Sequence, residues 1–174
     1  MKYLDTSKVK HYRGTDFYIV PQGNGVYYFK KINGMSHYID VKYIDSLYEK
    51  EIDIPNIKSD ILVIGLEIGC IPHWLVNVCP ISNIDVVESN TELVNAVKSM
   101  GYLPNKVKII NSDIFLHTPS KKYDIIITDT WWEDDEETLS EIELLRQNYN
   151  PYLKSNGKFY TPMIPPFSYE KITN

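Results

Sequence analysis

The pattern of hydrophobic positions changes character near residue 55. Before that point, short alternating runs at 17–20, 26–29 and 37–41 are separated by glycine-containing segments, the second of which is Asn33-Gly34. An Asn-Gly pair readily adopts the positive φ angles that a tight hairpin turn requires. Residues 15–45 therefore predict two consecutive β-hairpins.

After residue 58 the chain alternates between continuous apolar runs and amphipathic segments. Strands are predicted at 61–64, 84–87, 107–110 and 123–127, and a fifth at 158–161 after Asn156-Gly157. Helices are predicted from Pro72, from the capping-box spacing Ser89–Glu92 to a stop at Gly101, and over 138–148. The alternation predicts right-handed crossovers and a parallel sheet.

We therefore expect an α/β fold, a doubly wound and mostly parallel Rossmann-like sheet, with an N-terminal β-hairpin extension. The predicted boundary gives the extension residues 1–57 and the Rossmann-like domain residues 58–174. A chain of 174 residues with 43% hydrophobic positions is long and apolar enough to form one hydrophobic core and a small additional unit.

The charge and composition narrow the expected partners. The net charge is -5, and only Arg13 and Arg146 are arginines, so no basic face for nucleic acid is expected. The polar start and the lack of a long apolar run predict no signal peptide and no membrane segment, hence a cytoplasmic protein. Cys70 and Cys79 are interpreted as reduced packing residues, and the scattered histidines predict no metal site.

Chemistry-bearing residues follow the predicted strands. Gly65 and Gly69 come after the first strand, Glu88 and Ser89 after the second, Asp113 and Ile114 after the third, and Asp129 after the fourth. The carboxyl ends of parallel strands share one edge, so these residues are expected to converge there. An acid at the second strand end commonly accepts hydrogen bonds from the ribose of an adenosine cofactor. Singly, each glycine also suits helix packing and each acid a turn or helix cap.

In these residues the sequence resembles the class I S-adenosylmethionine-dependent methyltransferases and, among them, the spermidine synthase-like branch. The resemblance covers about residues 58–162 and rests on the segments 62–69 with Pro72, 86–88, 107–113, 123–129 and 153–158. It implies that S-adenosylmethionine, or its decarboxylated form, is the cofactor. By the same resemblance, Gly65 and Gly69 cradle the methionine part, Glu88 holds the ribose, Asp113 with Ile114 holds the adenine, and Asp129 stands at the reacting centre. Ser89 and Glu67 are also predicted to bind the cofactor.

The sequence also departs from the family pattern. Glu67 stands where members usually carry glycine, so its carboxylate would either repel the cofactor carboxylate or pair with its ammonium. The second aspartate typical of spermidine synthases is replaced by Trp132 and Glu133. The chain ends soon after the predicted fifth strand, so we expect a C-terminally truncated version of the fold. We expect the resulting bare edge to be covered by the hairpins or by a homo-oligomer partner.

The segment after the fourth strand combines aromatic and acidic residues. Trp131 and Trp132 precede five consecutive acids that begin with Glu133 and Asp134. Indole faces and carboxylates both attract cations, which predicts that Trp131, Trp132, Glu133 and Asp134 bind an acceptor with a cationic amine. The alternative is a solvated helix start whose acids favour the helix dipole.

The sequence thus predicts an S-adenosylmethionine-dependent transferase, methyltransferase-like, acting on a small and amine-bearing acceptor. Asp129 is predicted to be the catalytic base or to orient the amine. Two alternatives stay open. One is an aminopropyltransferase that uses the decarboxylated cofactor on a polyamine, and the other is a non-catalytic protein of the same fold that serves as a binding or structural partner. The pattern G-x-G-x-x-G of nicotinamide enzymes is not matched.

Overall fold

The structure, a computed structural model, describes residues 4–23, 25–30, 36–40, 48–50, 52–54, 58–130 and 136–161. Within them lie a four-stranded antiparallel sheet and a five-stranded parallel sheet. The antiparallel sheet has the order β1-β2-β3-β4, with β1 Tyr12–Arg13, β2 Phe17–Gln22, β3 Gly25–Lys30 and β4 Ser36–Asp40. The two predicted hairpins are confirmed as β2–β3 and β3–β4. The segment Asn33-Gly34 lies outside the described residues.

The parallel sheet has the order β7-β6-β5-β8-β9. Its strands are β5 Asp60–Ile64, β6 Asn83–Glu88, β7 Val107–Asn111, β8 Tyr123–Thr128 and β9 Leu153–Tyr160. The helices are α1 Cys70–Val78, α2 Thr91–Met100 and α3 Glu136–Tyr149. The strand order reverses between β5 and β8, which is the point where open α/β sheets bind their ligands. The predicted Rossmann-like fold with a hairpin extension is confirmed.

Alternate side chains of β5 enter two separate cores. Ile61 and Val63 belong to a core shared with α1, α2 and the antiparallel sheet, whereas Leu62 and Ile64 face α3 on the other side. A strand covered on both faces must be apolar throughout, which explains the continuous run. The antiparallel sheet therefore packs on the same face as α1 and α2. The boundary at residues 57 and 58 stays a prediction, since 55–57 lie outside the described residues.

The last strand differs from its prediction. β9 begins at Leu153, whereas the sequence predicts a strand only from residue 158. Pairing with β8 jumps from Leu153 opposite Tyr123 to Lys158 opposite Ile125. Asn156-Gly157, which is predicted to precede the strand, therefore lies inside it at an irregularity in the pairing. For helix α3, the spacing of Leu139, Ile142 and Leu145 predicts that they share one apolar face, but Leu139 is 46% exposed while Leu145 is buried.

The start of α2 corrects the predicted capping box. Asn90, not Ser89, is the N-cap, and its side chain accepts from the backbone N–H of Leu93 at 3.0 Å. The reciprocal bond to the N-cap N–H comes from Glu88, whose Oε1 accepts from Asn90 at 2.7 Å. Glu92 is consequently not needed at the cap. The predicted stop at Gly101 is confirmed, with a φ of 71°.

Cys70 and Cys79 are buried and form no disulfide, as predicted. None of the described helices combines the length and the apolar character that crossing a bilayer demands. Among the described residues, no three His, Cys, Asp or Glu side chains are grouped to hold a metal ion.

Candidate functional site

A cavity of about 420 Å³ opens at the carboxyl edge of the parallel sheet. Its volume lies within the range of small-molecule sites. One wall comes from the loops after β5, β6, β7 and β8, and the opposite wall from the antiparallel sheet. The described residues that line it are Asp16, Phe17, Tyr28, Gly65, Glu67, Glu88, Ser89, Asn90, Leu93, Ile114, Phe115, Asp129, Thr130 and Glu141.

Gly65 lies where the loop after β5 packs against the loop after β8, at the point where the strand order reverses. Its φ is +96°, and an added Cβ would lie 2.4 Å from the carbonyl oxygen of Asp129. The backbone of Asp129 donates to Ile64 at 2.7 Å, and Gly65 donates to Val87 at 2.8 Å. A side chain at Gly65 would push these loops apart, so glycine is required here for both conformation and space.

Glu67 has a left-handed backbone conformation, which glycine adopts more readily than other residues. Its φ is +47°, the one positive value outside glycine in the described chain. A left-handed conformation costs an L-residue about 1–2 kcal/mol. The side chain is nevertheless buried in the cavity wall, at 8% exposure. Glu67 therefore places a carboxylate in the wall at a position with a strained backbone.

Glu88 organises the loop and lines the cavity at the same time. Its Oε2 accepts from the backbone N–H of Leu66 at 3.0 Å, and its Oε1 accepts from Asn90. Its side chain is buried at the end of β6. The loop is also supported from Tyr102, whose hydroxyl donates to the carbonyl of Ile68. Glu88 is thus held in a fixed position in the cavity wall.

The structure describes eight of the predicted site residues and brings six of them together. Six line the one cavity: Gly65, Glu67, Glu88, Ser89, Ile114 and Asp129. Gly69 instead forms the N-cap of α1 with a φ of +80°. Asp113 is exposed outside the described lining, and its Oδ1 accepts from the backbone N–H of Phe115 at 2.8 Å. The predicted acceptor residues Trp131, Trp132, Glu133 and Asp134 lie outside the described residues.

Sequence analysis did not predict the cavity wall that lies opposite the loops of the parallel sheet. Asp16, Phe17 and Tyr28 line the cavity from the antiparallel sheet, and the rings of Phe17 and Tyr28 lie 5.9 Å apart. Burial raises the pKa of Tyr28, and the nearby charges of Glu67 and Glu88 raise it further, so the phenol stays neutral. The alternation along β2 and β3 indicates which side chains face inward. It does not indicate that they face a cavity.

The cavity wall is strongly acidic. Asp16, Glu67, Glu88, Asp129 and Glu141 are among the lining residues, and the described lining includes no lysine, arginine or histidine. Close carboxylates in a partly dry wall attract positive charge. The site is therefore electrostatically suited to a cationic ligand.

No family model and no curated protein sequence matches this chain. Solved structures do match. Coclaurine N-methyltransferase, solved with N-methylheliamine and SAH, aligns over 92% of this chain and 45% of its own, with 18% identity and a TM-score of 0.58. Mitomycin 7-O-methyltransferase aligns over 76% of this chain and 38% of its own, with 12% identity and a TM-score of 0.58.

A glycopeptide N-methyltransferase solved with S-adenosylmethionine aligns over 66% of this chain and 51% of its own, with 12% identity and a TM-score of 0.52. The chain thus spans about half or less of the length of these enzymes. The likeness establishes the fold: it is that of the class I methyltransferases. The narrower placement in the spermidine synthase-like branch stays a prediction, as do the homo-oligomer and the cytoplasmic location.

Proposed function

We propose that this chain is an S-adenosylmethionine-dependent transferase that acts on a small acceptor carrying an amine. The observation that carries the proposal is the acidic cavity at the carboxyl ends of β5, β6 and β8. Its position is the one at which doubly wound sheets bind nucleotide ligands. The likeness to methyltransferases solved with SAH or S-adenosylmethionine supports the same cofactor.

The residues of the wall fit this cofactor. Glu88 offers a fixed, buried carboxylate of the kind that accepts hydrogen bonds from ribose hydroxyls. Gly65 lines the cavity and lets the loop after β8 pack closely, where a Cβ would collide with that loop. We infer that Glu88 and Ser89 hold the ribose, Ile114 the adenine, and Gly65 with Glu67 the amino-acid end.

When bound, S-adenosylmethionine supplies a methyl group on a positively charged sulfur, which an amine nucleophile takes by direct displacement. Asp129, 4% exposed in the wall after β8, is the candidate for accepting the acceptor proton or orienting the amine. Phe17, Tyr28 and Asp16 offer ring faces and charge to a cationic acceptor. Acceptor binding by Trp131, Trp132, Glu133 and Asp134 stays a prediction.

Glu67 favours a second candidate, an aminopropyltransferase that uses the decarboxylated cofactor on a polyamine. A cofactor carboxylate at this end of the cavity would meet Glu67 in a wall with no basic residue among its described members. Removal of that carboxylate leaves a ligand with two positive charges, which suits the acidic wall better.

Calorimetric titration with SAH, S-adenosylmethionine and the decarboxylated cofactor tests both candidates. Saturable binding with a preference for the first two supports a methyltransferase. Tighter binding of the decarboxylated form supports aminopropyl transfer. No binding of any of the three would contradict both and favour a non-catalytic binding or structural role.

Asp129→Asn tests the catalytic assignment. Loss of a general base should lower kcat for labelled methyl transfer to a panel of small amines by roughly 10²–10⁴-fold. SAH affinity should stay within about threefold, because the change is nearly isosteric. Glu143→Gln, an exposed position on α3, is the matched control. Undiminished turnover in Asp129→Asn would remove Asp129 from the mechanism.

A further inference from the structure

One acidic side chain at the start of α2 ties the antiparallel sheet to the parallel domain. Glu92 Oε2 accepts from the backbone N–H of Thr15 at 2.8 Å, and Oε1 lies 3.4 Å from the hydroxyl of Tyr12. These partners are 77 and 80 positions away in the sequence. The contact is therefore a tertiary link, made by a residue that the corrected helix cap does not use.

The link leads directly to the cavity wall. Thr15 precedes Asp16 and Phe17, which both line the cavity. The ring of Tyr12 stacks on that of Phe17 with centroids 5.5 Å apart and an interplanar angle of 11°. The turn between them is closed by the N–H of Gly14, which donates to the carbonyl of Phe17 at 2.8 Å. Both groups held by Glu92 thus adjoin lining residues.

Glu92 itself is not among the described lining residues. Its carboxylate is favoured by the dipole in the first turn of α2, but its hydrogen bonds point away from the helix. A hydrogen bond to a charged group is worth more than a neutral one and fixes geometry. The side chain can therefore act on the cavity only through the residues that it holds.

We propose that Glu92 is a positioning residue that fixes the wall formed by Asp16, Phe17 and Tyr28 over the cavity and thereby sets ligand affinity. The proposal rests on the proposed function only for the choice of SAH as the probe. The positioning itself can be measured in the ligand-free protein.

Glu92→Ala is the main test, and Glu137→Ala is its matched control. Glu137 is likewise the second residue of its helix, but it is exposed. Loss of the charged acceptor should speed hydrogen exchange at the Thr15 amide roughly tenfold relative to Val63 in β5, and weaken SAH binding roughly fivefold or more. Glu137→Ala should change neither the exchange rate of Thr15 relative to Val63 nor the SAH affinity by more than about twofold.

Two milder variants test the proposal if Glu92→Ala fails to fold. Glu92→Gln keeps an acceptor oxygen, so its effects on exchange at Thr15 and on SAH affinity should be intermediate. Tyr12→Phe removes only the longer hydrogen bond, so its effects should be smaller. Unchanged exchange at Thr15 in Glu92→Ala, or faster exchange with unchanged SAH affinity, would overturn the proposal. If the wild type binds no SAH, the proposed function fails, while exchange at Thr15 still decides whether Glu92 holds the wall.

Discussion

Both ends of the parallel sheet are rich in carboxylates, but their surroundings differ. At the amino end, the acids face lysines. The distances are 3.0 Å from Lys121 Nζ to Asp85, 3.3 Å from Lys121 Nζ to Asp60, and 2.8 Å from Lys154 Nζ to Asp124. At the carboxyl end, the acids line a cavity whose described lining contains no basic residue.

The comparison shows that acid content alone does not mark a functional site. Burial works against the charge of Lys121, but the hydrogen bonds and charges of Asp85 and Asp60 together outweigh it and raise the pKa of the lysine. The Tyr123 hydroxyl also donates to Asp85, at 2.9 Å. At this end, each of the three carboxylates is paired with a lysine of the protein itself. At the carboxyl end, positive charge is left for a ligand to provide.

Lys121→Met tests the amino end and should have the largest effect on stability. Without the lysine, the nearly buried carboxylate of Asp85 loses its ion pair, and breaking such a pair is strongly unfavourable. Because Lys121 is 37% exposed, we expect a loss of about 2 kcal/mol in the free energy of unfolding rather than the full cost of a buried pair. Urea denaturation measures this loss.

The same variant should leave SAH affinity unchanged, because Lys121 lies at the opposite end of the sheet. Lys122→Met removes an exposed neighbour and serves as the control. Adding Asp85→Asn to Lys121→Met should restore part of the stability by removing the buried charge. Weaker SAH binding at constant stability would contradict the division between the two ends.

Glu67→Gly tests the carboxyl end and should raise the stability of the protein, whereas Lys121→Met should lower it. Glycine relieves the left-handed strain at the cost of a more flexible unfolded chain, so we expect the free energy of unfolding to rise by about 1 kcal/mol or less. Any preference for the decarboxylated cofactor over S-adenosylmethionine should shrink, since the repelling carboxylate is gone. Urea denaturation and calorimetry measure the two effects.

Glu67→Gln separates charge from strain, because it keeps the backbone conformation and removes only the charge. It should reproduce the change in cofactor preference without the gain in stability. If Glu67→Gly lowers stability by more than about 1 kcal/mol, the positive φ is not a source of strain.

The sequence predicted the fold from local signals. The continuous apolar run of β5, the stop at Gly101 and the alternation in β2 and β3 each reflect a short-range physical requirement. The convergence of Gly65, Glu88 and Asp129 followed from topology, because parallel strand ends share an edge. These features needed no knowledge of distant contacts.

The parts that sequence analysis missed depend on tertiary packing. Nothing local indicates that Phe17 and Tyr28 face a cavity, or that Glu92 bonds to Thr15 instead of capping its own helix. Leu139 fits a helical stripe, yet it remains exposed because the buried face of α3 runs through Thr138, Ile142, Leu145 and Tyr149. Which partner a side chain meets is decided by the docking of one sheet on the other.

The smallest expected effect is the pH dependence of the amino end. A hydrogen bond from Asn83, together with Lys154 and Lys121, lowers the pKa of Asp60 from 3.8 to about 2, against the opposing effect of burial. Because the folded-state pKa lies below the unfolded one, this contribution is present above about pH 4 and is lost as the pH falls through about 2. The pairs are partly exposed, so it should be under about 1 kcal/mol. Urea denaturation of the wild type and Asp60→Asn should give a difference in unfolding free energy that narrows below pH 4, and a difference that widens instead would mean that Asp60 is not stabilised as a carboxylate.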